Sequence, residues 1–69
     1  MNLNLFTNLL KERGIKYFDL ADKIGIERRT MYNRLRNNGE HFRLKEVIAI
    51  QKVMNWSNAT ASEVFFNSK

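Results

Sequence analysis

The chain has 69 residues, 43% of them apolar, which suits one small domain with a single core and a single surface site. Twelve Lys and Arg against seven Asp and Glu give a net charge of +5 and a sequence pI near 10.0, so an anionic macromolecule is the expected partner. Zero cysteines and one histidine, His41, exclude a disulfide framework, the usual zinc ligand sets and the common nucleophile-histidine arrangements, so neither an enzyme nor a cofactor or metal protein is expected.

The longest apolar run, Val47 to Ile50, is far below the roughly 20 residues that cross a bilayer, and Met1-Asn2-Leu3-Asn4 lacks the basic flank and apolar block of a signal peptide. A soluble, cytoplasmic protein with no membrane partner is expected. No small-molecule ligand is evident.

Strand signals are scarce, proline is absent, and glycines at 14, 25 and 39 divide the chain into pieces of helical length. Leu3, Phe6, Leu9 and Leu10 predict a first helix over residues 3–13, capped by Gly14. Between Gly14 and Gly25, Leu20, Ala21 and Ile24 share one face of a short second helix, with Asp19 and Asp22 in its early turns. A third helix follows in the stretch 27–37, where Met31 and Leu35 form a narrow apolar stripe and the other side chains are mostly polar, basic or aromatic. The segment from there to Arg43 reads as a loop carrying His41, which is expected to have no special task. From Leu44, the positions of Val47, Ile48, Ile50 and Met54 predict a fourth helix ending near Asn55. Thr60-Ala61-Ser62-Glu63 has the form of a capping box ahead of a last helical turn, Val64-Phe65-Phe66.

Two short helices meeting at a steep angle need a tight turn, and Gly25 supplies the left-handed backbone for it. This is a helix-turn-helix pattern over residues 17–36. Leu20-Ala21-Asp22-Lys23-Ile24-Gly25-Ile26, followed by Arg28, Thr30 and Met31, resembles the lambda-repressor-like family of phage repressor, Cro and Xre-type regulators. The resemblance spans residues 3–66 and implies an all-α bundle of five helices. It also implies that the third helix enters the major groove of double-stranded DNA, with Arg28, Arg29, Tyr32 and Asn33 reading bases.

Residues 28–45 hold Arg28, Arg29, Arg34, Arg36, Arg43 and Lys45 against only Glu40, whereas the other residues balance. Arg34, Arg36, Arg43 and Lys45 are therefore expected on phosphates, with Thr30 and with Tyr17, which stands where the family commonly has Gln. Lys16 and Glu27 stand at usual Ser or Thr cap positions. Glu27 has two open roles: accepting from a cytosine amine or pairing with Arg28.

Trp56, Phe65 and Phe66 crowd the C-terminal region, where they either close the bundle or form a homodimer interface. A dimer would meet two half-sites on a palindrome about 34 Å apart. The combined expectation is a single helix-turn-helix domain over 1–69 that serves a phage or prophage as a small transcriptional repressor. An antitoxin, an excision factor and a protein-interaction module that has lost DNA binding are the alternatives.

Overall fold

The computed structural model describes residues 1–37 and 42–66. These form α1 (Leu3–Glu12), α2 (Tyr17–Ile24), α3 (Arg28–Arg36), α4 (Leu44–Met54) and α5 (Asn58–Phe65), with no strand among the described residues. The all-helical expectation holds. No described helix is long and apolar enough to cross a membrane. Of the loop expected up to Arg43, residues 38–41, with His41, lie outside the described residues, and Phe42 and Arg43 precede α4 without helical structure.

Each helix contributes its apolar stripe to one cluster. Phe6 and Leu10 of α1, Leu20 and Ala21 of α2, Met31 of α3, Ile50 and Met54 of α4 and Val64 of α5 are all buried in it. Removing such side chains from water contributes about 1.5–3 kcal/mol for each of the larger ones. The cluster is what holds short helices that would be marginal in isolation.

Three helix ends share one device. A residue with positive φ follows the last turn, Gly14 (φ 66), Gly25 (φ 79) and Asn55 (φ 56). The next residue's N–H then reaches back five positions: Ile15 to the Leu10 carbonyl, Ile26 to Ala21 and Trp56 to Gln51, each at 3.0 Å. This pattern satisfies carbonyls left over at a helix end, and an apolar residue after the cap turns inward. Ile15, Ile26 and Trp56 all pack against the core. The Arg13 guanidinium further donates to the Met54 carbonyl, joining α1 to the end of α4.

The start of α5 differs from expectation. Ser57, not Thr60, is the N-cap, and its Oγ accepts from the Thr60 N–H at 3.1 Å. Thr60 thus lies inside the helix at the third position, and Glu63 sits well beyond the first turn. Two overlapping runs of cap-forming residues were present, and the earlier one prevails because it lets Ala61 and Val64 both be buried.

The C-terminal aromatics divide. Phe6 meets Trp56 at 6.1 Å and 79° and Phe65 at 6.4 Å, while Phe65 also meets Phe42 at 5.9 Å and 78°. Trp56 and Phe65 therefore close the bundle as half-buried partners of α1, Trp56 in the edge-on geometry that ring quadrupoles favour and Phe65 tilted at 56°. Phe66 does not join them and is 71% exposed. Of the three residues expected at a dimer interface, it is the one left facing outward.

Candidate nucleic-acid interface

The turn at Gly25 sets α3 against α2, with Leu20, Ala21 and Met31 fully buried where the two helices enter the core. Burying Met31 and half-burying Leu35 fixes the rotation of α3 about its own axis. Thr30 and Arg34 are then drawn to the inward flanks, and both are half-buried. Arg28, Arg29, Tyr32, Asn33 and Arg36 are exposed. Arg29, Tyr32, Asn33 and Arg36 follow helical one-face spacing, so they form a stripe, with Arg28 beside its start. Arg29, Tyr32, Asn33 and Arg36 thus share one exposed face, while Arg28 turns toward α2, where it meets Asp22 and Phe18.

Arg34 departs from its expected place among the phosphate contacts. Its Nη2 donates to Glu46 Oε2 at 3.0 Å, and its Nε lies 3.0 Å from Glu46 Oε1. Glu46 is only 6% exposed and also accepts from the Arg43 N–H at 2.9 Å, anchoring the first turn of α4. A buried carboxylate needs such partners, because its desolvation is otherwise costly. The cation at position 34 is drawn inward by that carboxylate and ties α3 to the start of α4. Arg43 and Lys45, on either side of that start, are exposed, as is Arg36 near the end of α3.

An aromatic row flanks the stripe. Tyr32 meets Tyr17 at 6.2 Å, and Tyr17 meets Phe18 edge-on at 5.5 Å and 80°. Tyr17 is 37% and Tyr32 51% exposed, so α2 and α3 present one ring each to the outside. Lys16 Nζ lies 5.7 Å from the Phe18 ring centre and the Arg28 guanidinium 5.1 Å from it, within cation–π range. Lys16, the N-cap of α2, offers no side-chain acceptor; the Asp19 carboxylate instead accepts from the Lys16 N–H at 3.4 Å.

Arg28 pairs with Asp22, not with Glu27. Its Nε donates to Asp22 Oδ1 at 3.2 Å and its Nη2 to Oδ2 at 2.7 Å. The hydrogen bond from Arg28 holds the Asp22 carboxyl below its ordinary value of 3.8, with a lesser contribution from the positive charge itself. Glu27 is the N-cap of α3 and makes no side-chain capping bond. Asp22 and Phe18 against Arg28, and Glu46 against Arg34, are the contacts of the candidate residues that sequence reasoning missed. The signal for Asp22 was its place one turn before a glycine, facing a basic residue across the bend.

A family model described as the Cro/C1-type HTH DNA-binding domain matches residues 6–63, from the middle of α1 almost to the end of α5. No curated protein and no solved structure matches the chain.

Proposed function

The chain belongs to the Cro/C1-type HTH DNA-binding domain family, whose members bind DNA and are not enzymes, and from that premise we propose a sequence-specific regulator of transcription. In this reading the whole chain, 1–69, is one domain. It works in the cytoplasm of a host carrying a phage or prophage, as a repressor or Cro-like competitor. It inserts α3 into the operator major groove and blocks polymerase by occupancy, so its own concentration is the control.

The supporting observation is the two-sidedness of α3. Met31 and Leu35 hold it on the core, while Arg28, Arg29, Tyr32 and Asn33 are left outward at its beginning and middle. Those side chains carry the groups that base edges recognise: guanidinium forks for guanine, a carboxamide for adenine and a ring for the thymine methyl. Arg36, Arg43, Lys45 and the Tyr17 hydroxyl serve phosphates and set the register. Thr30 and Arg34, both half-buried, position the helix. The protein binds as a homodimer, for which the exposed Phe66 ring is the proposed apolar contact.

Selection of the purified protein on randomised duplex DNA, with the recovered site titrated at several salt concentrations, tests this. An enriched palindrome with half-sites about one helical turn apart, bound cooperatively, is expected. Weak binding without enrichment, abolished by modest salt, would overturn the reading.

A further inference from the structure

We propose that Asp22 is a positioning residue for base readout: it locks Arg28 into the orientation in which the free end of its guanidinium recognises guanine. This rests on the DNA-binding mode above and adds the base that the operator must carry opposite the start of α3.

A guanidinium has five N–H donors arranged along two usable edges. The side edge consists of Nε–H and one Nη2–H; the end edge consists of one hydrogen from each Nη. Asp22 occupies the side edge of Arg28, through Nε at 3.2 Å and Nη2 at 2.7 Å. The end edge, with both Nη groups, is left for a second planar acceptor pair. Guanine presents one in the major groove, its O6 and N7. Adenine presents a donor where guanine has O6, and the pyrimidines lack the paired acceptors, so the open edge discriminates.

The remaining freedom of the arginine is restricted from a second direction. Phe18 lies with its ring centre 5.1 Å from the Arg28 guanidinium carbon, and it is itself held edge-on to Tyr17. The carboxylate fixes the guanidinium within its plane, and the Phe18 ring beside it is a second restraint. Both members of the ion pair remain more than half exposed, 60% and 52% for the side chains, so a duplex can reach the arginine. A long side chain loses substantial rotamer freedom on binding. Here that loss is taken in the free protein, which favours the correct base without further ordering.

Asp22 carries a negative charge towards a polyanion, so its two effects have opposite signs. That contrast gives the test. Wild type, Asp22→Asn and Arg28→Lys are compared for binding to the selected site, to versions substituted at each base and to nonspecific duplex, with thermal melting as a check on folding. Arg28→Lys, which keeps the charge but loses the fork, identifies the base that Arg28 reads. Wild type should prefer guanine there by at least about tenfold, the scale of a bidentate contact. Asp22→Asn should reduce that preference several-fold while nonspecific affinity rises, and Asp22→Glu should restore part of the preference.

Unchanged guanine preference in Asp22→Asn would overturn the proposal, as would parallel gains for specific and nonspecific DNA, which mean that the carboxylate merely withholds the arginine. A selected site with no guanine at the position sensitive to Arg28→Lys would also overturn it, while leaving the regulator reading intact. Absence of any selected site refutes both.

Discussion

Replacing Gly25 by alanine isolates the cost of the bend that places α3. Gly25 sits at φ 79 and ψ 28, the left-handed region. A methyl group built on its Cα meets nothing within 4 Å, so the substitution adds no clash. The cost is therefore the backbone's own, about 1–2 kcal/mol for a residue with a Cβ in that conformation. Alanine also narrows the unfolded ensemble, which offsets about 0.4–1 kcal/mol of it. The net loss should be about 1 kcal/mol, or a fall in Tm of roughly 4–8 °C for a domain of this size. Gly14, at φ 66 and equally unobstructed, supplies the internal control. Its alanine variant should lose a similar amount, although it lies outside the helix-turn-helix. Asparagine at position 25 should cost less than alanine, since the chain already places Asn55 in the same conformation at the end of α4. Urea melts of the four proteins measure these differences. A neutral Gly25→Ala, or a loss above about 3 kcal/mol with Gly14→Ala near 1, would refute the assignment of the cost to the dihedral alone.

Met31→Ala removes a side chain with no exposed surface at the centre of the core and should destabilise by about 2–5 kcal/mol in the same melts, the larger part if the cavity stays open. Arg36→Ala should weaken binding to all duplexes alike and reduce the slope of log K against log salt by about 1, whereas Arg29→Ala should relax preference at one base. Equal effects from both would defeat the division into phosphate and base contacts. For Asp22, carboxyl chemical shifts followed by NMR should give a midpoint below 3.8, moving back up in Arg28→Ala. Because the folded-state value is depressed, the stabilisation from this pair is complete above the ordinary carboxylate range. It is lost as pH falls through the lowered midpoint.

Much of the frame was legible because it is written in local signals. Gly14 and Gly25 stop helices where a left-handed residue is needed, and the spacing of Leu20, Ala21, Ile24, Met31 and Leu35 fixes which sides face the core. What escaped depends on choices between equivalent local signals or on distant partners. Ser57 and Thr60 are both competent N-caps, and only the packing of Ala61 and Val64 decides between them. Arg34 reads as one more surface cation until Glu46, twelve residues on, is seen to be buried beside it. Trp56 and Phe65 were ambiguous because Phe6, their partner, lies at the other end of the chain. The Arg28–Asp22 pair crosses a bend, so neither helix pattern alone contains it.

The separation of α3 into a buried side and an exposed side has a consequence for how such a protein can diverge. Met31 and Leu35 answer to the fold, while Arg29, Tyr32, Asn33 and Arg36 are exposed and lie outside the buried cluster. Surface substitutions of this kind usually shift stability by no more than about 0.5 kcal/mol. Under the base readout proposed above, a lineage would therefore rewrite its target sequence one letter at a time without passing through unfolded intermediates. Position 28 is the exception in that mode, because a change there leaves the exposed Asp22 carboxylate facing the duplex without its cation, which a matching change at 22 relieves. New specificities should accordingly arise most readily through residues 29, 32 and 33, with 22 and 28 altering together.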